Sequence, residues 1–179
     1  MLPIYKGKGD DPMECGSYRG IKLLENAIKL VERTFEHRIW QQIKVDDMQC
    51  GFMKGKGTTD AIITVRQMQE NFRVKGKKLY FGFVVLEKAF DRVLTEVIRW
   101  AMCKLGVEEW LALAVMSMYT GAKNRTVYDN SSGFEVKVGM HQGSALSPVL
   151  LVTVMEAISR EFRVPWPYLG SCCMLMTWL

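Results

Sequence analysis

The chain has 179 residues, 49% hydrophobic and 24% charged, with a mean hydropathy of +0.00, which is ordinary globular composition for one domain or one and a fraction. Aromatics at 11% argue against disorder, Gly 15 and Pro 5 exclude collagen-like and low-complexity classes, and no apolar run reaches the ~20 residues of a membrane helix. The net charge of +5 and pI near 9.0 are compatible with a polyanionic partner.

In chain order, the segment to about Gly20 is rich in glycine, proline and charge and reads as loop with short strands. Leu24, Ile28, Val31, Phe35 and Ile39 fall on one face of a long helix spanning Leu24 to Ile43. Val45 to Thr58, with Gly51, Gly55 and Gly57, reads as loop. A second helix follows, capped by Thr58 or Thr59, with Ala61, Val65, Met68 and Phe72 as its buried stripe. Leu79 to Leu86 is nearly continuously apolar and predicts a strand buried on both faces. Thr95 opens a helix with Val97, Ile98, Ala101, Met102 and Leu105 inside and Gly106 as its stop; Glu108 to Tyr119 is its antiparallel partner, stopped at Gly121. Arg125–Tyr128 and Phe134–Val138, joined by Asn130-Ser131-Ser132-Gly133, predict a hairpin. After the loop Gly139-Met140-His141-Gln142-Gly143, Ser147 as N-cap and Pro148 at the first position start a helix running to about Phe162. Helices and strands alternate irregularly, which predicts an α+β fold.

Five cysteines (Cys15, Cys50, Cys103, Cys172, Cys173) without a Cys-x-x-Cys, and only His37 and His141, argue against a zinc site or a disulfide framework. Met1-Leu2-Pro3-Ile4 leads straight into Lys6 and Lys8, so no signal peptide is read and an intracellular protein without a membrane partner is expected. Lysines cluster at Lys6/Lys8, at Lys54/Lys56 and at Lys75/Lys77/Lys78, interleaved with glycine. A basic glycine-rich loop can follow a phosphate backbone, and equally can be a solvated surface.

Four segments, in order, resemble the reverse transcriptase domain of non-LTR (LINE-like) retrotransposons. They are Pro3-Ile4-Tyr5-Lys6-Gly7-Lys8-Gly9 with Tyr18-Arg19-Gly20-Ile21-Lys22-Leu23-Leu24; Gln49-Cys50-Gly51-Phe52 with Gly57-Thr58-Thr59-Asp60; Phe83-Val84-Val85-Leu86-Glu87-Lys88-Ala89-Phe90-Asp91-Arg92-Val93; and Gly139-Met140-His141-Gln142-Gly143-Ser144-Ala145-Leu146-Ser147-Pro148. The resemblance implies a right-hand polymerase: a fingers region at 1–78, a partial palm at 79–163 carrying the metal-site strand and the Gln-Gly loop, an off-family tail at 164–179, and no thumb. It implies RNA-directed DNA polymerisation by two Mg²⁺ ions ~3.5–4 Å apart, with an RNA template and a DNA primer as partners. By resemblance Arg19, Lys88, Ala89, Phe90, Gln142 and Gly143 bind the nucleotide, and Lys54, Lys56, Lys75, Lys77 and Lys78 contact nucleic acid. An aromatic at Phe90 is similar to a gate against the 2′-hydroxyl, and also fits plain core packing.

The chain departs from the pattern twice. Val85 stands where the family has its first metal-holding aspartate, and valine offers no lone pair. Asp91 reads as a cap on the turn into the following helix. Glu87, two residues along a strand from Val85, lies ~6.6–6.8 Å away, too far to replace the missing group in an octahedral shell. The family's Tyr-Ala-Asp-Asp hairpin is absent, and no acidic residue follows Glu161. Codons for Glu-Leu-Leu-Tyr-Ala-Asp-Asp-Leu-Val-Val can be chosen so that reading one base later yields Ser171 through Leu179, so a frameshift is expected there. Hence no intact catalytic residue, no bound metal and an inactive protein are expected. Three readings stay open: an active polymerase, a non-catalytic nucleic-acid-binding remnant, and an unstable relic without function.

Overall fold

The protein is described from a computed structural model covering residues 1–7, 11–83, 85–86, 88–121, 123–124, 133–135 and 138–162. Its first element, β1 (Leu2–Tyr5), pairs antiparallel with β2 (Tyr18–Ile21), Leu2 opposite Ile21 and Tyr5 opposite Tyr18. The Tyr5 and Tyr18 rings meet at 5.6 Å, and the Lys6 ammonium donates to the Gly16 carbonyl at 2.5 Å, closing the ribbon.

Five longer helices follow the ribbon among the described residues: α1 (Asn26–Gln42), α2 (Thr58–Val74), then, after the four-residue α3 (Ala89–Arg92), α4 (Thr95–Lys104), α5 (Glu109–Tyr119) and finally α6 (Leu146–Phe162). Between α5 and α6, β3 (Lys123–Asn124) and β4 (Phe134–Glu135) pair antiparallel. The described residues are therefore mostly helical, with two short two-stranded ribbons.

Helix α6 is buried nearly all round. Leu146, Val149, Leu150, Leu151, Val152, Thr153, Val154, Met155 and Ala157 are buried, with α4 and α1 packed against the helix, as expected of a helix apolar on every face. Ile98, Ala101 and Met102 of α4 and Leu111, Ala112 and Val115 of α5 complete the core. The turn between α4 and α5 is a Schellman motif. Gly106, at φ +81°, donates to Cys103, and Val107 donates to Met102, so Gly106 stops the helix as its sequence predicts. Gly121 takes φ +69° just after α5. Glu156, buried on α6, accepts from Arg160 Nε at 2.9 Å and from the Asp46 amide at 3.3 Å, and Arg160 donates to the Lys44 carbonyl. These bonds tie the loop after α1 to the core.

Several expectations are corrected. The described residues of 79–86 form no strand and are largely exposed, with Tyr80 80% and Val85 74% accessible. An apolar run becomes a buried strand only where a ladder partner satisfies its amides and a layer covers its side chains, and among the described residues neither lies alongside it. An α+β layout centred on that strand is thus replaced by a largely helical one. Thr58 and Thr59 lie inside α2; Gly57 is its N-cap, and the Asp60 carboxylate accepts from the Gly57 amide at 2.7 Å. In α1 the apolar stripe is half realised: Ile39 is buried and Phe35 partly so, while Ile28 and Val31 are exposed. Arg125–Tyr128 and the tail 164–179 lie outside the described residues.

Candidate functional site

The first, third and fourth of the sequence segments that carry the resemblance converge on one cleft. Its wall is built by β2, α3 and the glycine-flanked loop before α6. The Lys22 amide donates to the Gln142 carbonyl at 2.8 Å, the Met140 amide to the Phe90 carbonyl at 2.5 Å, and the Gly139 amide to the Val93 carbonyl at 3.1 Å. Two glycines permit this approach. Gly139 sits at φ +92°, where a Cβ would come within 2.8 Å of the Asp91 carbonyl oxygen. Gly143 sits at φ +96°, where one would meet Ile21 Cγ2 and the Lys22 carbonyl at 3.0 Å. The cleft holds about 420 Å³ and is lined in part by Tyr18, Lys22, Asp91, Met140 and Gln142.

The loop's polar groups are fixed from both sides. Gln142 Nε2 donates to Asp91 Oδ1 at 3.0 Å. Asp91 lies inside α3 and does not cap the helix after it, which corrects the reading from sequence. His141 is buried with its ring 4.5 Å from that of Tyr119, and its carbonyl accepts from Ser147 Oγ at 2.8 Å. Burial, and secondarily the Lys22 ammonium, lower the His141 pKa to about 4, so the ring is neutral at physiological pH. Tyr119, 3.4 Å from Ser147 Oγ, has its phenol pushed up, chiefly by burial. The start of α6 is held by side chains. Glu32, only 2% exposed on α1, accepts from the Ala145 amide at 3.0 Å, and Ser144 Oγ accepts from the Leu146 amide at 3.1 Å. Ser147, expected as the N-cap, instead spends its hydroxyl on the His141 carbonyl, because the helix begins one residue earlier, at Leu146.

Of the residues singled out from sequence, Gln142 and Gly143 lie on the loop at the cleft. Phe90 is partly buried against the core and meets Phe52 edge-on at 6.0 Å, which brings the second segment against the third. Ala89 is buried, and exposed Lys88 takes a left-handed backbone, φ +51°, just before α3. Arg19 is exposed on β2. Val85 is exposed and presents only methyl groups. Lys54 is exposed, and Lys56 is half-buried and donates to the Asp47 carbonyl; Lys75, Lys77 and Lys78 are exposed. The last three lie beyond the C-terminal end of α2 and the first two precede its start, so ~25 Å of helix separates the groups. Exposed Arg66 and Arg73, seven residues apart on α2, lie on one face between them. Sequence reasoning passed over this pair, although its spacing within a helical stretch was available as the signal. Lys22 stands in the first family-like string but was not singled out there as a site residue.

Among the described residues the donors do not make up a two-metal centre. Val85 supplies no ligand, and Asp91, held by Gln142, is the one carboxylate lining the cleft. Among the described residues no group of three or more His, Cys, Asp or Glu side chains stands close enough to hold a metal ion. Nor is any helix among them long and apolar enough to cross a membrane.

Comparison with known proteins places this geometry. Residues 5–176 match the sequence profile described as reverse transcriptase (RNA-dependent DNA polymerase). The chain is also 26% identical over 151 residues to the retrovirus-related Pol polyprotein from type-1 retrotransposable element R2 of Nasonia vitripennis. That match covers 83% of this chain and 15% of the R2 polyprotein, so the chain spans only a small part of that relative's length.

Proposed function

The chain belongs to the reverse transcriptase family, with distant homology to the R2 retrotransposon Pol polyprotein, and from that premise we propose that it is a degenerate reverse transcriptase module that contacts nucleic acid without polymerising it. The family uses divalent metal and acts on nucleic acid. The observation that carries the non-catalytic reading is Val85, aligned by resemblance with the family's first metal-holding aspartate. A carboxylate there would neutralise part of the +4 charge of two Mg²⁺ ions, and valine cannot. In this reading residues 1–78 correspond to fingers and 79–163 to part of a palm. Arg19, Lys88, Ala89, Phe90, Gln142 and Gly143 are by resemblance the nucleotide-binding residues, and Gln142 is the one of them that lines the cleft.

Contact with nucleic acid is supported by the basic residues on and around α2, where exposed Glu70 is the one acidic residue on the face of Arg66 and Arg73. Lys54 and Lys56 stand at one end, Arg66 and Arg73 on one face, and Lys75, Lys77 and Lys78 at the other end. A line of ~25 Å spans several backbone phosphates and involves no base readout. Binding to a labelled RNA–DNA primer–template in EDTA is therefore expected to weaken steeply with salt. The double substitution Arg66→Ala with Arg73→Ala is expected to reduce the slope of log K against log salt by about 2. A flat salt response, or an unchanged slope in the double variant, contradicts this reading.

A further inference from the structure

Lys22 stands apart from every other polar side chain of the cleft. It lies just past β2 and lines the cleft, and its own amide is bonded to Gln142. Its Nζ is buried, and it is the one buried side-chain nitrogen or oxygen among the described residues without a hydrogen-bond partner. Burial lowers the lysine pKa, opposed by the nearby Asp91 carboxylate. That carboxylate already accepts from Gln142, and His141, the other titratable group facing Lys22, is neutral at physiological pH. An unsatisfied ammonium is costly to keep, so a position that keeps one at a cleft wall is a candidate for a ligand that completes it.

We propose that Lys22 is the phosphate anchor of the cleft, its ammonium taking an oxygen of a nucleoside polyphosphate without any divalent ion. The inference rests on the reading of this cleft as the nucleotide side of the fold. The chemistry required is an oxyanion, because an ammonium has three donors and no acceptor. The cleft, at about 420 Å³, has room for one nucleotide and excludes a duplex. The side chain's flexible four-carbon stem lets the ammonium swing from the wall toward a bound phosphate. Asp91 opposes the same anion, so the two residues act with opposite sign.

The test is equilibrium binding to the full chain in EDTA, with tripolyphosphate, a deoxynucleoside triphosphate and the unphosphorylated deoxynucleoside as probes. The two phosphorylated probes are expected to bind more tightly than the deoxynucleoside. Lys22→Met and Lys22→Gln are each expected to weaken both phosphorylated probes at least tenfold. Lys22→Arg is expected to keep them within a few fold, and Asp91→Asn to strengthen them about threefold or more. Using both Met and Gln variants guards against one misfolding, and retained near-ultraviolet circular dichroism reports the fold. Lys22 variants that bind within twofold of the unaltered chain overturn the anchor while leaving the nucleotide cleft standing, as does an Asp91→Asn chain that binds more weakly. An unaltered chain that binds neither phosphorylated probe overturns both the anchor and the cleft reading.

Discussion

With an RNA template, a DNA primer, nucleotides and Mg²⁺, the chain is expected to incorporate no more nucleotide than a chelated control. The magnitude follows from what the missing group would do. Phosphoryl transfer is catalysed mainly by positioning and by charge placed on the attacking and leaving oxygens, which in this family two metal ions supply. Losing one such electrostatic element typically costs 10²–10³ in rate, and losing the ligand that holds both ions removes more than one, so a deficit of about 10³-fold or more is expected. Val85 is 74% exposed and carries no heteroatom. Asp91, six residues further along, is a single carboxylate and does not make up the ligand set of two ions. Incorporation that rises with Mg²⁺ and disappears on chelation would overturn the non-catalytic reading.

The second large effect concerns stability. Glu32→Ala is expected to cost about 3–4 kcal/mol, measured by chemical denaturation. Three losses combine: a hydrogen bond to the part-buried Ala145 amide, the carboxylate facing the start of α6, and the side-chain volume of a residue that is 2% exposed. Since small domains are stable by only about 5–15 kcal/mol, this is a substantial fraction of the total. Glu32→Gln keeps an oxygen for the amide and is expected to lose about half as much. A Glu32→Ala chain within 0.5 kcal/mol of the unaltered protein would show that the start of α6 is held by something else.

Much of the fold was legible because its signals are local. Gly106 and Gly121 end α4 and α5 through left-handed backbone, which any neighbouring sequence leaves to glycine. The Gly139 to Gly143 loop was legible for the same reason, and the structure adds that both glycines are needed for close contact with α3 and β2. What failed were inferences that required a partner. The 79–86 run has the residues of a buried strand, but burial is a property of what packs on it. Ile28 and Val31 in the front half of the α1 stripe are exposed, and the buried face of α1 includes Glu32, which the helical period places beside Ile28, Phe35 and Ile39 but whose charge reads as solvent-facing. Ser147 looked like the cap and Ser144 does the capping, a one-turn ambiguity that Ser-x-x-Ser leaves open. In the site, the resemblance picked out Gln142, Gly143 and Phe90 from their strings, whereas Lys22 is visible only once the fold has taken its ammonium out of water. The same residue gives a further contrast with the core. A buried ammonium without a hydrogen bond costs stability, so replacing Lys22 is expected to disturb the fold less than replacing Glu32.

The central claim is that this member of the reverse transcriptase family lacks the side chains that hold its metal ions. The most direct measurement is the electron paramagnetic resonance signal of free Mn²⁺, titrated into primer–template and nucleotide with and without the chain. The account predicts that the chain removes no more Mn²⁺ than nucleotide and nucleic acid remove alone; two chain-dependent Mn²⁺ ions bound together would contradict it.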